Sequence, residues 1–293
     1  MNFDVAKQAH DAYDFSVFND DIMYLLLNQF MKSGNKVLQQ KFLRFIDFCP
    51  SSTKVTDKFR EVFYFCQENV PLERIENFIN DNREEAIWYD DDHTLLQLQE
   101  LRSIQLFQDE FSPSSSIDKQ LFSRVQKIDS IDQIDTIIQD MNRLMKQKIY
   151  WTYYNTQTTR IIEDVFSQHQ NVLPTLVDIK GVDFFINRIP LDLKITRIPD
   201  GFDENFDKKT LIKWLYENQS EQRFGAENRL FLILNDTEHP DQTDRLKITN
   251  YNEIKTAING YLDTFQPSNL EDVVFSFGGK EYTAKSDIIF VNI

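Results

Sequence analysis

The stretch KGVDFFINRIPLDLKITRIP, residues 180–199, decides the fold of the second half of this chain. It contains two short runs, residues 182–186 and 191–196, whose alternating side chains are typical of β-strands with one buried face. We expect the two strands to pair as a hairpin closed by the four residues 187–190. Neighbouring residues of a strand point in opposite directions, so the hairpin has two distinct faces.

One face of this hairpin is wholly apolar and predicts a buried core surface. It comprises Val182, Phe184, Ile186, Leu191, Leu193 and Ile195. On the other face, the expected register places Asp183 opposite Lys194 and Phe185 opposite Asp192. Two carboxylates and one ammonium group therefore gather on a small patch of strand surface.

This patch has the chemistry of a divalent metal site. Asp192 and Lys194 are two residues apart, about 6.6 Å along a strand, so water on a cation held by Asp183 and Asp192 comes within reach of the lysine. The backbone carbonyl of Leu193 offers a further oxygen, and Mg²⁺ prefers such ligands together with several waters. The alternative interpretation is a cross-strand ion pair on a solvated sheet face, which contributes less than about 1 kcal/mol.

Glu163 is the candidate for a third acid at this site. It lies beside the apolar stripe of a predicted helix in residues 158–168, TTRIIEDVFSQ. A helix acid, an aspartate in one strand and D-x-K in the next match the needs of metal-assisted phosphodiester cleavage. The acids hold the cation, and the lysine orients or deprotonates the attacking water. An exposed helix residue near Arg160 is an equally good interpretation of Glu163.

The first half of the chain has the pattern of helices. Six of the seven glycines follow residue 180, and apolar side chains before that point recur at helical spacing. One such stripe predicts a buried helix face: Ile134, Ile137, Ile138, Met141 and Met145. We therefore expect a helical domain at residues 1–149.

The second half changes to the period of strands. We expect strands at residues 182–186, 191–196, 230–234, 273–277 and 288–291. A helix is expected at residues 208–218, and Gly278 and Gly279 form a two-residue hairpin turn. The predicted fold class is α+β, with a mixed sheet flanked by helices in a second domain at residues 150–293.

These residues resemble the PD-(D/E)XK nucleases, a family of restriction-endonuclease-like fold, over about residues 150–236. The family core is an acid-bearing helix, a mixed sheet whose second and third strands carry the motif, a following helix and a last strand. By this resemblance Asp183 is the first motif acid, Asp192 and Lys194 are the D-x-K pair, and Glu163 is the helix acid. Two features depart from the family. Val182 stands where a proline often precedes the first acid, and the short spacing confines the first strand to residues 176–179.

The resemblance implies Mg²⁺ as the cofactor, with Mn²⁺ as a substitute. It implies double-stranded DNA as the substrate. It also implies polar residues from the next helix near the site, for which Gln222 and Arg223 are candidates. Lys180 and Arg197 flank the motif strands and are further candidates for contacts with the substrate. Residues 180–229 carry nine basic and nine acidic side chains in a chain of net charge −15, so the surroundings of the site repel a phosphate backbone least.

Composition excludes several other classes of protein. The net charge argues against a protein that coats nucleic acid or anionic membrane, because such binding needs a broad basic surface. No apolar run approaches the roughly 20 residues of a membrane span, and the N-terminal residues lack the pattern of a signal peptide. Cys49 and Cys66 make no ligand-spaced pair, which argues against structural zinc and a disulfide framework. We expect a cytoplasmic protein without a membrane partner.

Two functions remain for the chain. The first is a Mg²⁺-dependent endodeoxyribonuclease of restriction-modification or other defence against foreign DNA, whose helical domain recognises DNA, contacts a partner or forms a homodimer. The second is a non-catalytic protein of the same fold that acts as a DNA-binding or protein-assembly module. The complete set of acids favours the first.

Overall fold

The computed structural model of the chain describes residues 1–32, 34–87, 91–102, 117–127, 133–202, 206–218, 225–238, 240–277 and 279–293. The α-helices are α1 Phe3–Asp11, α2 Met23–Met31, α3 Lys36–Phe45, α4 Val55–Asn69, α5 Leu72–Asp81, α6 Asp91–Arg102, α7 Ile117–Val125, α8 Ile134–Gln168, α9 Lys208–Glu217, α10 Leu246–Thr249 and α11 Tyr251–Thr264. The strands are β1 Val172–Ile179, β2 Val182–Ile186, β3 Ile189–Arg197, β4 Arg229–Asn235, β5 Glu271–Phe277 and β6 Lys280–Asn292. This mixed α+β layout, helical first and then a sheet, confirms the predicted fold class.

The six strands form one sheet in the order β1-β2-β3-β4-β6-β5. Strands β1, β2 and β3 are antiparallel neighbours, β3, β4 and β6 run parallel, and β5 returns antiparallel to β6. Phe277 pairs with Lys280 across the last hairpin, as a two-residue turn requires. Gly279 there has a φ of 78°, and Gly278 lies outside the described residues.

Helices cover both faces of the sheet. On one face, Leu211, Ile212 and Tyr216 of α9 pack in a buried cluster with Phe231 and Ile233 of β4. On the other face, the Tyr261 hydroxyl of α11 donates a hydrogen bond to Asp287, which lies beside Leu230 in the sheet. The end of α8 contacts the sheet through Phe166, whose ring stacks on Phe184 at 4.5 Å.

The chain divides into two compact units, Met1–Trp88 with Ile162–Ile293, and Tyr89–Ile161. In the larger unit, an aromatic-rich core joins the first five helices to β1 and β2. The predicted boundary between residues 149 and 150 differs from this division. The roles predicted for the two halves stay predictions. No helix among the described residues is long and apolar enough to cross a membrane.

The predicted burial of the apolar stripe on α8 is wrong for three of its five residues, and the other two, Ile137 and Met141, are half-buried. Ile134, Ile138 and Met145 are 39%, 51% and 45% exposed. In the smaller unit, the side of α8 that is covered runs instead through the buried Gln147 and Tyr154. Gln147 and Tyr154 lie roughly 200–220° around the helix from Ile134. The exposed residues of the stripe thus lie on the side of α8 opposite Gln147 and Tyr154.

The hairpin of β2 and β3 forms, but its predicted register is wrong by two residues. Phe184 pairs with Leu191 and Ile186 with Ile189, so the turn is only Asn187 and Arg188. Both have positive φ, 49° and 67°, as in the tight turns that match the twist of a hairpin. A shift of two residues keeps every side chain on its predicted face, because the side-chain period of a strand is two.

Two other strands are longer than predicted. Strand β1 begins at Val172 rather than residue 176, and β6 begins at Lys280 rather than residue 288. Phe185, on the face predicted to carry the site, is fully buried in the aromatic-rich core of the larger unit. The part of that face that carries Phe185 is therefore core and is not open to a ligand.

The tight turn supports a stability prediction at Asn187. Asparagine tolerates the left-handed backbone region, whereas a β-branched residue is strained there. Asn187→Val should reduce the free energy of unfolding by about 1–2 kcal/mol, and Asn187→Gly should leave it nearly unchanged. Denaturant unfolding monitored by circular dichroism measures both. Equal stability of the valine and glycine variants would contradict the two-residue turn.

Candidate active site

The candidate site lies where β3 changes its pairing partner. Residues 189–191 pair with β2, and from Asp192 onward the strand pairs with β4. The backbone N–H of Leu193 therefore points toward β2 with no strand partner opposite it. It donates a hydrogen bond of 2.6 Å to Oδ2 of Asp183. This bond brings the first predicted acid against the D-x-K strand.

Asp192 and Lys194 meet on the predicted face. Lys194 Nζ donates a hydrogen bond of 3.0 Å to Oδ1 of Asp192 and lies 2.8 Å from Oδ2. The contact with Oδ2 is an ion pair without the geometry of a hydrogen bond, and Oδ2 has no hydrogen-bond partner. The Asp192 side chain is 11% exposed and that of Lys194 is 47% exposed. The lysine thus presents its ammonium group to solvent beside a buried carboxylate.

The pKa of Asp183 is raised by its surroundings. Burial first, and then the negative charge of Asp192, raise the pKa of Asp183 to about 7. The Leu193 N–H and the charge of Lys194 act in the opposite direction. Two neighbouring carboxylates with too little positive charge between them favour either a bound proton or a bound cation.

These residues fit a divalent cation held by two carboxylates. The Asp192 Oδ2 is buried without a hydrogen-bond partner, and a metal ion can satisfy it. Within the described ranges, no group of three or more His, Cys, Asp or Glu side chains is arranged to hold a metal. Two carboxylates are a donor set that suits Mg²⁺, which keeps several waters and binds through one or two carboxylates.

The remaining predicted ligands are Glu163 and the backbone carbonyl of Leu193. Glu163 lies half-buried on α8, three residues before Phe166. The ring of Phe166 stacks on Phe184, whose side chain points away from Asp183 because the two are neighbours in a strand. The metal role of Glu163 and that of the Leu193 carbonyl stay predictions.

The predicted substrate contacts lie on the surface or outside the described residues. Lys180 is exposed, and its ammonium group lies 3.8 Å from the centre of the Tyr13 ring. The Arg197 side chain is 44% exposed and lies 3.9 Å from Asp200. Gln222 and Arg223 fall outside the described residues. Their substrate roles also stay predictions.

Two charged residues at the site, Glu227 and Arg229, were not predicted from the sequence. Arg229 lies directly beside Asp192 in the parallel pairing of β3 and β4. Its Nη2 donates a hydrogen bond of 3.1 Å to Glu227, and its Nε lies 3.5 Å from Oδ2 of Asp192. Both side chains are only 8% exposed. The strand predicted at residues 230–234 begins one residue earlier, at Arg229, and pairs in parallel with β3. A prediction with both features would have placed Arg229 beside Asp192.

Close packing fixes the position of Glu227. A Cβ atom on Gly225 would lie 1.9–2.3 Å from the Glu227 carboxyl group, and one on Gly181 would lie 2.9 Å from its Cγ. A larger residue at Gly225 would displace the Glu227 carboxyl group, and one at Gly181 would press on both Phe15 and Glu227. Burial raises the pKa of Glu227, and the positive charge of Arg229 partly offsets that effect. Glu227 thus lies in a close-packed position where burial disfavours its negative charge.

Comparisons of the chain with protein-family models, with curated proteins and with solved structures gave no match. The function is therefore argued from the geometry and chemistry of the site itself.

The raised pKa of Asp183 predicts a dependence of stability on pH. Its folded pKa of about 7 exceeds the ordinary value of about 3.9, so the folded state binds more protons between those values. This contribution to stability is complete below about pH 4 and is lost as the pH rises through 7. Asparagine does not titrate and can still accept the Leu193 N–H. Metal-free Asp183→Asn should therefore melt several degrees above the wild type at pH 8 and close to it at pH 4.

Calorimetric melts in EDTA across this pH range measure the effect. The matched control is Asp200→Asn, because the Asp200 side chain is 95% exposed. It should follow the wild-type curve. A wild-type slope in Asp183→Asn would show that the crowding of Asp183 and Asp192 is not the cause.

Proposed function

We propose that this protein is a metal-dependent endonuclease that hydrolyses DNA phosphodiester bonds. The observation that carries the proposal is the gathering of Asp183, Asp192 and Lys194 at the point where β3 leaves β2. The Leu193 N–H binds Asp183 at 2.6 Å, and the lysine ammonium lies within 3.0 Å of both Asp192 oxygens. Two acids and one accessible lysine are the minimum set for this chemistry.

Each of the three residues has a distinct role in the proposed reaction. Mg²⁺, when bound, supplies Lewis acidity and lowers the pKa of a water ligand. Asp183 and Asp192 would hold it, and the Leu193 N–H keeps the Asp183 carboxylate oriented. Lys194, with about half of its side chain in solvent, orients the attacking water and stabilises the negative charge that develops on the phosphate.

The order of elements supports the same proposal. Helix α8 precedes the antiparallel strands β1, β2 and β3, and α9 leads to β4, which lies parallel to β3. This is the order of the core that a resemblance to PD-(D/E)XK nucleases implies. By analogy of fold alone, the proposal extends to restriction or another defence against foreign DNA, a cytoplasmic setting and a homodimer.

A non-catalytic binding module is the second candidate function. It is favoured by the charge pairing of Asp192, which faces both Lys194 and Arg229 at 2.8 Å and 3.5 Å. A carboxylate with two cationic neighbours can be a purely structural group. The two candidates differ in one testable property, because only the nuclease requires a cation that reaches the acids.

Cleavage assays on plasmid and linear DNA with Mg²⁺ or Mn²⁺ test the proposal. The wild type should cleave with either ion and not in EDTA. Asp192→Asn and Lys194→Ala should each lower the rate at least about 100-fold, since each removes a group that acts on the transition state. Single-stranded DNA and RNA in the same assay define the substrate.

Two variants of exposed charges are the matched controls for these substitutions. Asp200→Asn and Lys213→Ala change the same residue types on side chains that are 95% and 55% exposed. Both should keep the wild-type rate. Full activity in the double variant Asp192→Asn, Lys194→Ala would reject the site. If the wild type neither cleaves this panel nor binds Mn²⁺, the non-catalytic function is the better account.

A further inference from the structure

We infer that Arg229 is a built-in counter-cation of the site, held by Glu227 where a divalent metal ion can replace it at Asp192. This inference rests on the proposed metal site and adds two residues to it. It assigns Glu227 and Arg229 as positioning residues, because both act on the metal through Asp192.

The first argument is the gap between Arg229 and Asp192. Arg229 Nε and Asp192 Oδ2 are both buried without a hydrogen-bond partner, although they lie only 3.5 Å apart. Two complementary buried groups normally close such a gap, since an unmade hydrogen bond to a charged group is costly. The guanidinium therefore adds to the balance of charge at Oδ2, where Lys194 Nζ lies 2.8 Å away, without itself forming a hydrogen bond to this oxygen.

The second argument is the set of contacts that hold the guanidinium back. Its Nη2 is hydrogen-bonded to Glu227 at 3.1 Å, and its Cζ lies 5.1 Å from the centre of the Tyr216 ring. The Tyr216 hydroxyl in turn donates to the backbone carbonyl of Glu227 at 2.8 Å. Gly181 and Gly225 have no side chain, which leaves room for the side chain of Glu227. Arg229 is thus held by two side chains, Glu227 and Tyr216, which are themselves linked by a hydrogen bond.

The third argument is the balance of charge. Asp183, Asp192 and Glu227 place three acids beside two cations, Lys194 and Arg229, in a largely buried region. Without Arg229, the metal-free protein would hold its acids against a single half-exposed lysine. With the guanidinium paired directly to Oδ2, a metal ion would have to break a buried ion pair to bind. At 3.5 Å from Asp192 Oδ2, Arg229 Nε offsets part of the negative charge without a direct hydrogen bond that a metal ion would have to break.

The two partners of one ion pair should therefore affect metal binding in opposite directions. Arg229→Gln removes the competing cation and should raise Mn²⁺ affinity about fivefold or more. Glu227→Gln removes the negative charge that attracts the guanidinium, which can then move toward Asp192, and should lower the affinity by a similar factor. Residues that only support the fold would lower it in both variants.

Mn²⁺ titration followed by electron paramagnetic resonance, with no DNA present, measures these affinities. A double variant separates competition at Asp192 from a general effect of charge. If Glu227 acts through Arg229, Glu227→Gln should have little effect once Arg229 is glutamine. Circular dichroism confirms folding. If Arg229→Gln does not fold, Arg229→Met replaces it in both the single and the double variant.

The outcomes separate this inference from the proposed function. The inference is supported if Mn²⁺ affinity rises in Arg229→Gln and falls in Glu227→Gln, and if Glu227→Gln has little effect in the double variant. This holds whether or not DNA is cleaved. Shifts of the same sign, additive shifts or no shift overturn it, even if cleavage needs Asp192 and Lys194. Absence of Mn²⁺ binding in the wild type and in all variants overturns both the inference and the metal site. Binding by Arg229→Gln alone would support the inference and count against an active wild type.

Discussion

The change of partner along β3 is the constraint on which the candidate site depends. A strand that stayed paired with β2 would use the Leu193 N–H in the ladder, and Asp183 would remain one half of a cross-strand pair. Because β3 turns to β4 at Asp192, that N–H is left for the Asp183 carboxylate. The same turn sets Arg229 beside Asp192. One feature of sheet topology thus assembles groups from three strands.

Charge burial then decides what the site can do. Acids placed together out of solvent must be neutralised by protons, by cationic side chains or by a metal ion. This protein combines the first two, with a raised pKa at Asp183 and with Lys194 and Arg229 around Asp192. Asp192 Oδ2 has ion-pair contacts but no hydrogen bond, so a metal ion could still bind there. A site of this kind costs stability and is more easily explained by function than by folding.

The sequence predicted the parts of this arrangement that depend on local pattern. Alternation in residues 182–196 gave the correct faces for Asp183, Asp192 and Lys194, and it did so despite a register error of two residues. The error arose because the expected closure took four residues, 187–190, whereas the tight turn is formed by Asn187 and Arg188 alone. The role of Arg229 depends on parallel pairing between distant segments, which no local pattern encodes. The exposure of Ile138 on α8 likewise depends on which side its neighbour packs.

The most direct test of the metal site is anomalous diffraction from crystals of the protein soaked in Mn²⁺. We expect a peak between the carboxylates of Asp183 and Asp192, with one Asp192 oxygen as a ligand and Lys194 close to a metal-bound water. No peak there, with Asp192 still paired to Lys194 and Arg229, would contradict the account of this cluster as a metal-dependent active site.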